Sequence, residues 1–279
     1  LTLSQCQRLI ITLLNSLPDI NVEQESLDIV LSVLKRDQLW IVQNPDYIVS
    51  PSDRRKIINI VTKRRHGIPL AYVLGIIRYG DLVLKVNQHC LIPRPETEQL
   101  IETARNYLLS QPNRAWRIID IGTGTGLIAI SLAQCCKEHS LNCHIDATDI
   151  SLPALKVAKA NVKKYQLSKT VSVYKQDLFT NNSQTYNLIV ANLPYVPSSN
   201  IKGLKDPILA LDGGSDGLDL VRTLLSQLHT SKIHTNIILE IGTNQAGILE
   251  AYVCQLWPQA TIKADNDLAG FNRVVQITI

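Results

Sequence analysis

Asn192-Leu193-Pro194-Tyr195 follows an apolar run, Tyr186-Asn187-Leu188-Ile189-Val190-Ala191, that reads as a buried strand. At the carboxyl end of that strand, Asn192 offers a side-chain carbonyl oxygen as an acceptor, and the Leu193 backbone carbonyl offers a second beside it. Pro194 lacks an N–H and fixes φ at about −65°, which stiffens the turn. Tyr195 adds a flat ring. Two acceptors and a ring suit a planar –NH2 group, held so that its nitrogen is aimed at a reaction partner. The bland alternative for Asn192 is a residue that simply turns the chain at a strand end.

A second stretch, Asp120-Ile121-Gly122-Thr123-Gly124-Thr125-Gly126, runs from a strand through a glycine-rich turn into a helix. Glycine lets a backbone approach a ligand closely and adopt φ values that other residues avoid. The dinucleotide spacing G-x-G-x-x-G is not met. Counted from Gly122 it needs glycine where Leu127 stands; counted from Gly124 it needs it at Ala129, too far into the helix. A nucleoside site fits better. Asp149 ends the next strand, Ile145-Asp146-Ala147-Thr148-Asp149, where an acid can accept both ribose hydroxyls. Asp177, after the strand Val171 to Tyr174, lies where a third strand brings a polar group to a base edge. Each has a structural alternative: a plain turn for the glycines, a helix N-cap ahead of Ser151 for Asp149, a turn residue for Asp177. Ligands in open α/β sheets bind beyond successive carboxyl strand ends, and all three fall there.

Positioning these residues requires a sheet. After Trp116 the pattern alternates, with strands expected at 117–121, 143–148, 171–175, 186–191, 237–241, 259–264 and 272–278, and helices at 126–138, 152–165, 216–229 and 244–256. Such alternation gives a doubly wound, seven-stranded Rossmann-like α/β sheet. The two closing strands have no helix between them, which implies an antiparallel final strand. Residues 1 to about 70 read instead as helical, with apolar faces ending before Pro18, a second helix from Val22 to Arg36, and a third opened by Pro51-Ser52-Asp53. Gly67-Ile68-Pro69 breaks that pattern, and Tyr79-Gly80-Asp81 separates two β-like runs, Leu74 to Arg78 and Leu82 to Val86. Pro93-Arg94-Pro95-Glu96 then feeds a helix from Thr97 to Leu109. The expected division is a small N-terminal helical domain at 1–75, a hairpin linker at 76–92 and a ligand-binding domain at 93–279.

With 279 residues, 45% hydrophobic and 19% charged, the chain has a globular composition. No apolar run reaches the roughly 18–20 residues of a membrane span, and the start lacks a basic-then-apolar signal, so a cytoplasmic protein is expected. Six cysteines show neither CxxC pairing nor a histidine at zinc spacing. Free buried thiols and no metal site are the expectation. The net charge of +4 does not by itself imply nucleic acid. Arg54-Arg55-Lys56 and Lys63-Arg64-Arg65-His66 form a basic cluster that reads either as a contact for a protein or RNA partner or as a solvated helix face.

The D-x-G-x-G-x-G turn, the acid after the second strand and Asn-X-Pro-Tyr after the fourth together resemble class I S-adenosylmethionine-dependent methyltransferases, and among them those acting on amide or exocyclic amino nitrogen. Gly67-Ile68-Pro69-Leu70-Ala71-Tyr72-Val73-Leu74-Gly75, Leu91-Ile92-Pro93-Arg94-Pro95-Glu96-Thr97-Glu98 and Asp267-Leu268-Ala269-Gly270-Phe271-Asn272-Arg273-Val274 resemble the HemK/PrmC family. That resemblance implies methylation of the glutamine side-chain nitrogen, N5, in the Gly-Gly-Gln motif of peptide chain release factors. It implies S-adenosylmethionine held by Gly122, Thr123, Gly124, Thr125, Gly126, Asp149, Asp177, Leu178 and Asn192. It places Asn192, Leu193, Pro194 and Tyr195 at the reaction, with Arg94 and Glu96 lining the substrate. The expected partner is a release factor met by a monomer, with no membrane and no stable nucleic acid. Three positions depart from the family pattern: Leu193 stands where proline is usual, Leu178 where a large aromatic is common, and Gly203-Leu204-Lys205-Asp206-Pro207 where an Arg-(Tyr/Phe)-Glu-Pro run is usual. The competing readings are an N-methyltransferase of nucleic-acid bases and a non-catalytic module that keeps the fold.

Overall fold

In the computed structural model, which describes residues 1–18, 20–180, 185–267 and 270–279, apolar residues at helical spacing build the first of two units, Leu1–Ile77. Helix α1 (Leu3–Leu14) starts with a capping box, in which Thr2 Oγ1 accepts from Gln5 N at 3.2 Å and the Gln5 side chain accepts from Thr2 N at 3.0 Å. Its Leu3, Cys6, Ile10 and Leu14 are buried with Ile29 and Val30 of α2 (Val22–Leu34). That helix stops short of the expected Arg36 because Lys35 turns left-handed, with φ +54°. A short α3 (Gln38–Gln43) follows that periodicity did not reveal, capped by Asp37, whose carboxylate accepts from Trp40 N at 2.7 Å. Helix α4 (Pro51–Arg65) is capped by Ser50 and buries Ile57 and Val61, and α5 (Leu70–Leu74) adds one turn. The basic cluster is divided. Arg64 makes a bidentate pair with Glu25 at 2.8 and 3.0 Å, largely shielded from water, whereas Arg55, Lys63, Arg65 and His66 are exposed.

Strands β1 (Ile76–Tyr79) and β2 (Leu82–Lys85) form the expected hairpin, shortened at its start because Leu74 belongs to α5. The second unit, Arg78–Ile279, continues with α6 (Thr97–Leu109), β3 (Trp116–Ile121), α7 (Leu127–Glu138), β4 (Cys143–Asp149), α8 (Leu152–Lys164), β5 (Val171–Lys175) and β6 (Leu188–Ala191). After two single 3-10 turns at Ser198–Asn200 and Ile208–Ala210 come α9 (Asp219–Thr230), β7 (Asn236–Glu240), α10 (Ala246–Leu256), β8 (Thr261–Asn266) and β9 (Asn272–Thr278).

Among the described residues the sheet has seven strands, in the order β5-β4-β3-β6-β7-β9-β8. Strands β3 to β7 pair in parallel, while β9 runs antiparallel to both neighbours, as the absence of a closing helix implied. The order reverses beside β3, whose neighbours are β4 and β6, so a crevice opens beyond their carboxyl ends. Several boundaries differ from expectation: β8 runs Thr261–Asn266 rather than 259–264 and α10 starts at Ala246 rather than 244, and two further shifts have a visible cause. Strand β6 starts at Leu188 because side chains take the backbone groups ahead of it: Asn187 Oδ1 accepts from Arg117 N at 2.5 Å, and Thr235 Oγ1 donates to Tyr186 O at 2.8 Å. Helix α9 starts at Asp219 because Gly213 to Gly217 form a tight loop ahead of it. All six cysteines are free; Cys6, Cys90, Cys135 and Cys136 are buried, but Cys143 is only partly covered and Cys254 is exposed, contrary to the expectation for a core thiol. No helix among the described residues is long and apolar enough to cross a membrane.

Candidate active site

The glycine turn leaves β3 with φ values of +76°, +53° and +84° at Gly122, Gly124 and Gly126, all in the left-handed region that a side chain disfavours. Its backbone is tied to the neighbouring strand: Gly122 N and Thr123 N both donate to Thr148 O, at 2.9 and 2.8 Å. Asp120, fully buried, holds the turn from below. Its Oδ2 accepts from Thr123 Oγ1 at 2.6 Å and from Ala129 N at 3.2 Å, which caps the start of α7. Burial pushes the Asp120 carboxyl up to about 7, against those two hydrogen bonds, with the nearby Asp149 charge adding to the rise. Asn161 of α8 locks the far end, donating to Thr125 O at 2.8 Å and to Lys85 O at 2.9 Å.

Asp149 is a scaffold and an open acceptor at once. Its Oδ2 accepts from Gly124 N at 3.0 Å and its Oδ1 from Ser151 N at 2.8 Å, and a lone pair on each oxygen remains. The helix cap of α8 is Ser151, not Asp149. Burial raises the Asp149 pKa, with those backbone donors pulling it back. Asp177 lies exposed on the rim, and Leu178 beside it takes φ +46°, a strained value for leucine, held by Gln176 Nε2 donating to its carbonyl at 2.8 Å. The next residue, Phe179, is 1% exposed and packed edge-on to Tyr186, so it offers no aromatic face in place of the one Leu178 lacks.

Gly122 to Thr125, Asp149, Asp177 and Leu178 line one cavity of about 360 Å³ together with Asn192, Leu193 and Pro194, whereas Gly126 is off its wall and faces Ala158 and Ile130. That volume is in the range of about 300–1,000 Å³ usual for small-ligand sites. The two motifs touch: a Cβ on Gly122 would lie 3.2 Å from Leu193 Cδ2 and 3.6 Å from the Asn192 carbonyl oxygen. Leu193 buries its side chain in the core, and among the described residues no backbone hydrogen bond ends on its carbonyl. Asn192 donates from Nδ2 to Thr97 Oγ1 at 3.1 Å, and among the described residues nothing donates to its Oδ1, which is left to accept. Asn192, Leu193 and Pro194 are on the cavity wall. Tyr195 is set behind them, half-buried, with its hydroxyl donating to Glu240 Oε1 at 3.0 Å.

Of the 92–98 segment, Pro93 and Thr97 reach the cavity, whereas Arg94 and Glu96 are not on its wall. Arg94 instead pairs with Asp206, which is mostly buried and also accepts from Ile92 N at 3.0 Å. This contact fastens the 92–94 strap to the Gly203–Pro207 loop, whose continuation, Pro207, Leu209 and Ala210, forms the outer wall. Of the Asp267–Val274 stretch, Leu268 and Ala269 lie outside the described residues.

Several supporting residues escaped the sequence reading. Glu240, at the end of β7, is 1% exposed. Burial raises its pKa, opposed by the Tyr195 hydroxyl on Oε1 and by the nearby Thr97 and Asn192 side chains, with Glu96 reinforcing the rise; among the described residues Oε2 has no hydrogen-bond partner. Gln245 ties the tetrapeptide to the loop behind it, donating to Tyr195 O at 2.9 Å and Asp216 O at 3.0 Å. That loop is packed so closely that a Cβ on Gly217 would sit 2.1 Å from the Tyr195 carbonyl oxygen, and one on Gly213 would sit 2.6 Å from that of Pro194. The signal was present as Asp212-Gly213-Gly214-Ser215-Asp216-Gly217, three glycines in six residues. Nothing local marks Glu240, a single acid ending an apolar strand.

Comparison with known proteins agrees with this geometry. Residues 97–204 match the family described as Methyltransferase small domain, and residues 15–75 match PrmC N-terminal domain. A Gloeobacter violaceus protein named Release factor glutamine methyltransferase is 33% identical over 231 residues, spanning 80% of this chain and 79% of that relative. The chain belongs to the release factor glutamine methyltransferase family. A second member of the family, from Clostridium botulinum, is 30% identical over 254 residues, 88% of this chain and 87% of its own length. Among solved structures, the hMettl16 catalytic domain in complex with MAT2A 3'UTR hairpin 6 superposes with a TM-score of 0.56 at 15% identity, over 82% of each chain, a likeness of fold alone.

Proposed function

We propose that the protein transfers a methyl group from S-adenosylmethionine to the side-chain amide nitrogen, N5, of the glutamine in the Gly-Gly-Gln motif of peptide chain release factors. The observation that carries this reading is Asn192, with Oδ1 left to accept, on the walls of one cavity with the glycine turn and Asp149, in a chain whose relatives are named for glutamine methylation. The donor end suits a nucleoside. The turn at 122–126 projects no bulky side chain, Asp149 keeps lone pairs for two ribose hydroxyls, and Ile150 and Leu178 offer apolar surface to a base. Asp177 on the rim is placed for the base edge. When bound, S-adenosylmethionine supplies an electrophilic methyl carbon on a sulfonium.

The protein's own part is to hold and polarise the acceptor. An amide nitrogen is a poor nucleophile because its lone pair is delocalised into the carbonyl. Asn192 Oδ1 and the Leu193 carbonyl accept the two amide N–H bonds, which draws the nitrogen toward sp3 character and aims its lone pair at the methyl carbon. Leucine serves at position 193 because the contact comes from its backbone. Pro194 stiffens the turn, and Tyr195, set behind the wall, braces it through its hydroxyl on Glu240. Orientation of this kind can supply up to about 7–11 kcal/mol of the barrier. The six unpaired thiols suit a reducing compartment, and this reading places the protein in the cytoplasm.

The test is to incubate the protein with methyl-labelled S-adenosylmethionine and either a release factor or nucleic acid. Label on the release factor, abolished when the Gly-Gly-Gln glutamine is replaced, is the expected result. Label on nucleic acid, or on the glutamine-free release factor, overturns the reading.

A further inference from the structure

Strand β2 has β1 as its partner along one edge, in a sheet of two strands. Such a ribbon is marginal by itself, and its outer edge leaves backbone groups unpaired. Here α8 covers that edge with side chains. Val83 N donates to Tyr165 Oη at 2.6 Å, and Tyr165 Oη donates to Val83 O at 3.1 Å, where Lys164 Nζ also donates. Two residues along, Lys85 N donates to Asn161 Oδ1 at 2.7 Å, and Lys85 O accepts from Asn161 Nδ2 at 2.9 Å. The spacings match, since four residues of helix advance about 6 Å and two residues of strand about 6.6 Å. Asn161 and Tyr165, one helical turn apart, therefore stand in for a third strand.

Asn161 has a second attachment. Its Nδ2 also donates to Thr125 O at 2.8 Å, and Thr125 is on the cavity wall. The peptide between Thr125 and Gly126 is thus held at both ends, because Gly126 N donates to Thr123 O at 2.7 Å. On the same face of α8, Ala158 packs against that turn: a Cβ on Gly126 would lie 3.5 Å from it. Asn161 is fully buried, and its three side-chain hydrogen bonds all run to backbone. Inverting its amide would set Nδ2 against the Lys85 N–H and Oδ1 against two carbonyls, so its orientation is fixed. Neither Val83 nor Lys85 is on the cavity wall.

We infer that Asn161 is a positioning residue for the methyl-donor site, and that through it the glycine turn and the outer edge of β2 are ordered as one unit. A single buried amide cannot follow Lys85 without leaving Thr125. A donor that fixes the turn therefore firms the β2 edge. By the reciprocity of linkage, a firm β2 edge strengthens donor binding. This rests on the donor half of the reading above, S-adenosylmethionine at the glycine turn, and is independent of which acceptor is methylated.

The experiment uses S-adenosylhomocysteine, the demethylated donor, as the probe in calorimetry and amide hydrogen exchange. The proteins are wild type, Asn161→Leu, Tyr165→Phe and the double variant. Leucine keeps the branched shape of asparagine and removes its hydrogen bonds. In wild type, saturating probe should slow exchange of the Val83 and Lys85 amides at least about fivefold, although neither residue touches the cavity. Asn161→Leu should bind the probe at least about tenfold more weakly. Its KM for S-adenosylmethionine should rise far more than its kcat falls, the split that loss of ground-state binding gives. Its Val83 amide, which still has Tyr165 as a partner, should no longer respond to the probe. Tyr165→Phe loosens β2 without touching the turn and should weaken the probe about threefold. Added to Asn161→Leu, it should cost nothing further, because its effect passes through Asn161.

A wild type that binds the probe while its β2 amides exchange unchanged overturns the linkage. So does a folded Asn161→Leu protein with wild-type affinity, or one whose Val83 amide still responds. Should Asn161→Leu not fold, Tyr165→Phe decides, and wild-type affinity in that variant overturns the inference. A wild type that binds no S-adenosylhomocysteine defeats the donor reading and the linkage together.

Discussion

The two ends of the cavity are built by different means. The donor end is mostly backbone: glycines at positive φ, amides donating to Thr148 O, and one carboxylate taking the N–H groups of Gly124 and Ser151. The acceptor end is mostly side chains drawn from distant parts of the second unit. Asn192 meets Thr97 across 95 positions, Tyr195 meets Glu240 across 45, and Arg94 meets Asp206 across 112. Backbone construction makes the first end depend on glycine and strand register, and little on proton occupancy at its surface. Side-chain construction makes the second depend on which partner donates. Damage to one end should therefore show up as binding, and damage to the other as turnover.

The largest expected effect tests the support beneath the donor end. Asp120 titrates at about 7 instead of 3.8, so the folded state holds a proton that the unfolded chain has released. Its contribution to stability is full below pH of about 4 and is lost as pH rises to about 7, a span worth on the order of 4 kcal/mol. Asp120→Asn should remove that slope, measured as the difference between wild-type and variant urea midpoints from pH 4 to 8. Parallel curves for the two proteins would show that the carboxyl is not the support described. Next, Asp149→Ala should weaken S-adenosylmethionine binding about 100-fold, roughly 2.7 kcal/mol for charged hydrogen bonds, while kcat at saturating donor changes within about twofold. Calorimetry and saturation kinetics measure the two quantities. Asn192→Ala should reverse the pattern, with kcat down at least about tenfold, roughly 1.4 kcal/mol, and donor affinity within about twofold. Equal losses of affinity in both variants would erase the distinction between the ends. The smallest effect belongs to the strap. Arg94 is 42% exposed, so solvent screens its pair with Asp206, and Arg94→Ala should raise the release factor KM only about threefold.

The same contrast explains how much could be read in advance. The donor end was legible because its residues sit within two contiguous stretches, 120–126 and 145–149, and its rules are local: glycine for positive φ, an acid after the next strand. The sheet was legible because alternation of apolar runs is periodic, and at Tyr186 and at 216–218 the boundaries slipped where side-chain bonds to the backbone or a glycine loop override periodicity. The tetrapeptide was visible as a motif, but its support was not. Glu240 ends a strand of Asn236-Ile237-Ile238-Leu239, where one acid reads as a strand terminus, and only the fold brings Thr97 to it. Arg94 was singled out as a wall residue, whereas its partner Asp206 lies beyond the reach of any local pattern.

Strand β9 has a consequence for how the protein is made. It is late in the chain yet interior in the sheet, inserted between β7 and β8, and its Val274 pairs with Glu240 while Arg273 O receives Ile241 N at 2.9 Å. A chain growing from the ribosome can complete the turn at 122–126 and the Asp149 strand long before residues 272–278 emerge. The strand that carries Glu240 can pair with β6 earlier, but Glu240 itself pairs with Val274, so its end of the strand is fixed only when they do. Donor-binding capacity should thus precede methyl-transfer capacity during synthesis, and a nascent chain would be able to hold its reagent before it could spend it.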